Sequence, residues 1–252
     1  MNKPLITAHT GCNDTPHNTL ESILSGAEWG ADINEVDVRV TRDMVPVLWH
    51  DDFLKTKNGG EIRIEAVTYG EIAALEARKE ILFPDDQVSI ARLEDVFDAA
   101  REKRIYLNLD LKDDLCLEKV ASMVKEWALE EMVVFSGCEK SRAIKLKKEH
   151  PEFQVLLNAD DELMEREDLS YMEKARILCS TAISASCCGL SVPYQFCRPE
   201  LVEYADLRML PVVIWTLPPD DRFEAFIDMG VYSITTLHVK ELVELKRRRF
   251  SV

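Results

Sequence analysis

DINEVDVRV, residues 32–40, alternates polar and apolar side chains with a period of two, the pattern of a β-strand packed on one face. Val36 and Val38 fall on the packed face, and Glu35 and Asp37 share the other. Two like charges side by side repel, so such a pair is normally held by a cation. The chain next turns at Thr41-Arg42-Asp43 and returns through VPVLWHD (45–51), which brings His50 to the same end as the carboxylates. Upstream, the apolar run of PLITA (4–8) is stopped by the turn-prone Thr10-Gly11, so His9 sits where a buried strand emerges. Two imidazoles and an acidic pair within the first 50 residues form a candidate catalytic constellation.

Outward from this segment, short apolar runs alternate with amphipathic stretches. The strand candidates are PLITA, DINEVDV, RIYLNLDL, MVVFS, FQVLLN, CCGLSV, LPVVIW and YSITT. Helical periodicity fills Thr19 to Gly30, Ala91 to Lys103, Cys116 to Glu130, Lys140 to Glu149, Met164 to Ser180, Arg198 to Leu207, Asp220 to Met229 and Val239 to Arg248. Eight strands, each followed by a helix, predict an α/β fold, a (β/α)8 TIM barrel. VPVLWHD is an extra hairpin return outside that count. The pattern breaks between about residues 52 and 89. There Asn58-Gly59-Gly60 makes a turn and Thr68 to Glu76 a short helix, before a loop through Pro84 and Asp85-Asp86. That span is too long for a plain connection and predicts a small insertion over the barrel mouth, within a single domain covering residues 1–252.

Composition sets the outer bounds. The chain has 252 residues with 46% apolar content, enough for a sizeable core. Its net charge of −15, from 46 acidic against 31 basic residues, argues against nucleic acid and against anionic bilayers as partners. The seven cysteines lack the spacing of a disulfide framework or a zinc site. No apolar run approaches the length of a membrane span, so stable membrane insertion is not expected and a cytoplasmic location follows by default.

Parallel barrels carry their reactive groups at the C-terminal ends of the strands. On this chain those positions are His9, Glu35, Asp37, Asp110, Lys112 and Trp215. Asp110 and Lys112 lie two apart in LNLDLK, so they share a face. Three carboxylates are hard oxygen donors suited to Mg²⁺ or Ca²⁺, whereas zinc would call for imidazole or thiolate. Such a cation, with Lys112 beside it, suits a phosphate-bearing small molecule. Two histidines titrating near neutrality can share the proton work on a phosphodiester. Taken singly, Lys112 is equally explained as a partner of Asp110, and Trp215 as core; His150 and His238 read as structural or surface residues.

In order and spacing, His9-Thr10-Gly11, His17-Asn18-Thr19, Glu35-Val36-Asp37-Val38, Pro46-Val47-Leu48-Trp49-His50-Asp51, Leu107-Asn108-Leu109-Asp110-Leu111-Lys112 and Trp215-Thr216 resemble the motifs of the glycerophosphodiester phosphodiesterases. The resemblance spans almost the whole chain. It implies a TIM barrel that hydrolyses glycerophosphodiesters to an alcohol and glycerol 3-phosphate with a divalent cation. His9 and His50 would then be the general acid/base pair, and Glu35, Asp37 and Asp110 the metal ligands. Lys112 would contact phosphate and Trp215 would wall the pocket. There are three departures from the family pattern. The arginine after the first histidine is Thr10, the glutamate before Asn-Thr is His17, and the metal-site glutamate is Asp110. Thr10 removes a bidentate phosphate contact and leaves a hydroxyl for substrate, while His17 could supply a substitute charge. The spider-venom-like phospholipases D also resemble the chain in having Asp and Lys on that strand, but they lack a sizeable insertion. Activity of a phospholipase D or lysophospholipase D kind on lipid diesters, and a barrel that only binds a phosphate ligand, are the alternative expectations.

Overall fold

The computed structural model describes residues 3–84, 87, 89–218 and 222–250. Its strands are β1 (Leu5–Ala8), β2 (Ile33–Val40), β3 (Pro46–Leu48), β4 (Phe53–Lys55), β5 (Glu61–Arg63), β6 (Leu107–Leu111), β7 (Val133–Cys138), β8 (Gln154–Asn158), β9 (Gly189–Pro193), β10 (Val212–Trp215) and β11 (Ser233–Thr236). The helices are α1 (Leu20–Trp29), α2 (Tyr69–Ala77), α3 (Leu93–Lys103), α4 (Cys116–Glu126), α5 (Lys140–Glu149), α6 (Asp161–Glu165), α7 (Tyr171–Ser184), α8 (Pro199–Asp206), α9 (Arg222–Met229) and α10 (Val239–Phe250). Parallel pairing runs β1-β11-β10-β9-β8-β7-β6-β2, and the β1–β2 pairing closes the ring into an eight-stranded barrel.

The period-two pattern read from the sequence sets the two faces of the barrel wall. Val36 and Val38 of β2 and Leu107, Leu109 and Leu111 of β6 are fully buried under the helices, in a continuous core with Leu93, Phe97 and Val120. Their neighbours Glu35, Asp37, Asn108 and Asp110 line the interior, in register through the pairs Glu35↔Asn108 and Asp37↔Asp110. Several helices begin at residues whose side chains satisfy their first free N–H groups. Thr19 accepts from the Ser22 amide ahead of α1, and Thr68-Glu71 and Ser170-Glu173 form reciprocal capping boxes ahead of α2 and α7.

The structure departs from the sequence reading in three places. Glu35 and Asp37 lie mid-strand rather than at a strand end, because β2 continues to Val40 to pair antiparallel with β3, through Val38↔Leu48 and Val40↔Pro46. The helix read from Met164 to Ser180 is two elements: α6 ends at Glu165, and the Ser170 capping box starts α7, which then runs to Ser184. The insertion holds a two-stranded hairpin, β4–β5, besides the expected turn at Asn58-Gly59 and the short helix, now α2. With β3 and the residues that flank it, the insertion builds a separate apolar cluster of Val47, Trp49, Leu54, Ile64, Ile72, Ile81 and Ile90. Asp85 and Asp86 of the expected loop, and Asp220, where the next-to-last helix was read to start, lie outside the described residues.

Candidate active site

Glu35, Asp37 and Asp110 offer carboxylate oxygens that all lie within 4.8 Å of one another inside the barrel. Asp37 is fixed twice by Asn18, whose Nδ2 donates to Oδ2 (2.8 Å) and whose Oδ1 accepts from the Asp37 amide (3.0 Å). Glu35 accepts from the Thr10 amide (3.1 Å). Asp110 owes its place to the neighbouring strand. Gly137, at φ +67, forms a bulge in β7 where the register with β8 shifts, and a Cβ there would collide with Asp110 Oδ1 and the Leu111 carbonyl.

Lys112 places Nζ 2.7 Å from Asp37 Oδ1 and 2.8 Å from Asp110 Oδ2. These carboxylates hold its ammonium well above the usual lysine range despite burial, so it stays charged. Three carboxylates against one ammonium leave the cavity short of two positive charges. Both the electrostatics and the hydrogen bonding of the site are consistent with that deficit. Burial, together with the charges of Asp37 and Asp110, pushes the Glu35 carboxyl well up, and Asp110 Oδ1 is buried with no hydrogen-bond partner. Hard oxygen donors, a deficit of two charges and an orphaned carboxylate oxygen together fit a divalent cation.

His9 follows β1 and is half-buried beside this group, with Nε2 3.9 Å from Glu35 Oε2. Its Nδ1 donates to the Thr10 carbonyl (2.7 Å). A carbonyl can only accept, so in the neutral ring the lone pair is on Nε2. Burial lowers the His9 pKa below the ordinary imidazole value, more than the Thr10 carbonyl raises it, which favours that neutral form. Thr10 itself is buried, and its hydroxyl accepts from the Asn18 amide, tying the His9 loop to the residue that fixes Asp37. His17 stacks edge-on to His9 at 5.9 Å and lies over Gly11, where a Cβ would strike the ring and where φ is +82.

His50 leaves the end of the β3 hairpin with its side chain 67% exposed and Nδ1 2.9 Å from Asp51 Oδ1. It meets the other groups at a central cavity of about 90 Å³, lined by His9, Glu35, Asp37, His50, Asp110, Lys112 and Trp215 together with Asn108, Ser136 and Asn158. A side groove of about 310 Å³ shares His9, Asp37 and His50 and extends past His17, Asn18 and Trp49 to Pro84 and Gln87 of the insertion. Seven of the residues selected from sequence therefore converge on one cavity. His17 borders the adjoining groove, and Thr10 lies behind it. Asn18, Asn108, Gly137 and Arg39 were not singled out for site roles. Asn18 and Asn108 stood inside the quoted motifs, whereas Gly137 carries no local signal because its partner is on another strand. A second acidic and imidazole group, Glu118, Glu149 and His150, lies on the outer helices. There Lys125 Nζ sits 2.9 Å from His150 Nδ1, placing a competing positive charge beside the imidazole.

The family model described as the glycerophosphoryl diester phosphodiesterase family matches residues 9–241. The chain is 27% identical over 253 residues to a glycerophosphodiester phosphodiesterase of Caldanaerobacter subterraneus subsp. tengcongensis, covering 98% of this chain and 99% of that one. It is 22% identical to human lysophospholipase D GDPD3, covering 90% and 79% of the two chains. Among solved structures, it resembles the glycerophosphodiester phosphodiesterase of Thermotoga maritima (TM-score 0.75, 21% identity, 97% and 99% covered). It also resembles an Oleispira antarctica phosphodiesterase in complex with the product sn-glycerol-3-phosphate (TM-score 0.72, 20% identity, 96% of each chain). With that match running from His9 through Glu241 on an eight-stranded barrel, the chain belongs to the glycerophosphoryl diester phosphodiesterase family and is a phosphoric diester hydrolase.

Proposed function

We propose that this chain hydrolyses small glycerophosphodiesters to an alcohol and glycerol 3-phosphate, with residues 1–252 working as one domain in the reducing cytoplasm. The observation that carries the reading is the 2.7 Å bond of His9 Nδ1 to the Thr10 carbonyl, which leaves Nε2 as the basic nitrogen beside the same small cavity as three carboxylates and a charged lysine. A Mg²⁺ or Ca²⁺ ion held by Glu35, Asp37 and Asp110 would supply Lewis-acid polarisation of a phosphoryl oxygen. Lys112 adds a fixed positive charge for a non-bridging oxygen. His9 Nε2 takes the proton of the attacking hydroxyl, which belongs either to water or to the neighbouring hydroxyl of the glycerol in a first step that water completes. As the new P–O bond forms, the P–O bond to the alcohol breaks, and His50 protonates the departing oxygen. Trp215 walls the cavity, His17 lends its ring to the side groove, and Thr10 serves the substrate through the loop it tethers.

A second reading, activity of the lysophospholipase D kind, draws on Trp215, exposed at the end of β10 where it lines the cavity, and on Leu115, exposed just ahead of α4, which offer apolar surface to a lipid chain. It also draws on the name of the human relative.

Separate His9→Ala and His50→Ala variants test the proton assignments. Each is expected to lower kcat on glycerophosphocholine by about 10²–10⁴-fold, and wild-type turnover in either removes that histidine from the mechanism. Faster hydrolysis of lysophosphatidylcholine than of glycerophosphocholine by the unaltered protein would favour the second reading.

A further inference from the structure

Arg39 is the third inward-facing charge of β2, above Glu35 and Asp37, yet its side chain is only 8% exposed. Four of its five N–H donors are engaged. Nε and Nη2 both donate to the main-chain carbonyl of His50 (3.0 and 2.9 Å), Nη2 meets Asp52 Oδ1 at 2.6 Å, and Nη1 donates to Asp113 Oδ2 at 3.2 Å. Asp113 uses its other oxygen to accept from the amides of Leu115 and Cys116 at the start of α4 (2.9 and 3.1 Å). One planar cation therefore joins the loop of His50 to the segment that follows Lys112, itself pinned to β2 by its amide donating to the Val38 carbonyl (3.1 Å). With four of its five donors committed and its charge matched by two aspartates, Arg39 is held within the protein rather than presented to a phosphate.

The His50 ring, by contrast, is largely in solvent, and its own side-chain contact is to the adjacent, equally exposed Asp51. The rigid hold on this residue is at its carbonyl. From this geometry we infer that Arg39 is a positioning residue for His50: it sets the distance between that imidazole and the acid-lined cavity without touching substrate or cation. The role rests on the reading of His50 as a proton-transfer group. Lysine cannot replace Arg39, because one ammonium cannot span the His50 carbonyl, Asp52 and Asp113 together.

The test compares Arg39→Gln, Arg39→Lys, His50→Ala and the double variant Arg39→Gln/His50→Ala on glycerophosphocholine, with Mn²⁺ binding followed by electron paramagnetic resonance. Misplacing a reacting group by about an ångström costs on the order of 10²-fold, so Arg39→Gln should lower kcat by about that factor. KM and Mn²⁺ affinity should stay within about threefold of wild type. Arg39→Lys, which keeps the charge and guards against a Gln variant that fails to fold, should remain roughly tenfold slow. The double variant should be no slower than His50→Ala alone. The inference is overturned if Arg39→Lys has wild-type kcat, if Mn²⁺ affinity falls in step with rate, or if Arg39→Gln slows the His50→Ala background by its full factor. Undiminished turnover in His50→Ala removes the reading of His50 itself. Collapse there with normal turnover in both Arg39 variants removes only the positioning role.

Discussion

Asp110 shows how much a single carboxylate depends on residues that do no chemistry. One of its oxygens meets Lys112, while the other is buried without a partner in a space that exists because position 137 has no Cβ. Gly137→Ala would force either that carboxylate or the bulge to move, and φ +67 adds backbone strain for any L side chain. The variant is expected to lose at least about tenfold in Mn²⁺ affinity, as shell residues of metal sites commonly do, together with about 1–3 kcal/mol of stability. Calorimetric titration with the metal alone and urea unfolding check both, and a variant matching wild type in each would show that Asp110 does not need this space. Thr10 makes a related point. From the sequence it reads as a lost arginine and a hydroxyl left for substrate; in the fold the hydroxyl accepts from the Asn18 amide and so supports the loop around Asp37. Its backbone amide and carbonyl, which bond Glu35 and His9, are the groups nearest the chemistry, and no side-chain motif reveals them.

At the scale of elements, alternation along β2 and β6 was legible because a period of two decides which side chains enter the barrel, and register then sets Asp37 beside Asp110. Element ends were less legible. The extension of β2 to Val40 depends on its pairing with β3, and the break before α7 depends on the Ser170 capping box overriding a continuous helical pattern. The β4–β5 hairpin was missed because its strands are three residues each, too short for periodicity to register. The insertion carries more than a covering role. Its apolar cluster includes Trp49, next to His50, whose indole Nε1 donates to the Phe53 carbonyl (3.2 Å), so packing in the insertion bears on where His50 stands. Leu54 is fully buried in that cluster. Leu54→Ala is expected to cost about 2–5 kcal/mol in urea unfolding and to lower kcat more than it raises KM. Unchanged stability would show that the cluster can collapse around the gap, and unchanged kcat would separate the insertion from the His50 loop.

Over the whole molecule, a strongly acidic chain has to admit a phosphate-bearing substrate. The net charge of −15 is unfavourable for an anion at large distance, and the three interior acids are unfavourable at short distance. Lys112 offsets only one of the three negative charges, and burial together with the charges of Asp37 and Asp110 raises the Glu35 carboxyl. No helix among the described residues is long and apolar enough to cross a membrane. Under the proposed function, the acid-lined cavity becomes productive for a phosphodiester only with a divalent cation bound. The direct measurement is release of glycerol 3-phosphate from glycerophosphocholine by protein stripped with EDTA, before and after adding back Mg²⁺ or Ca²⁺. Glycerol 3-phosphate and choline are the expected products, with turnover abolished by EDTA and restored by one of the two cations. Full turnover in EDTA, or phosphocholine and glycerol as products, would contradict it.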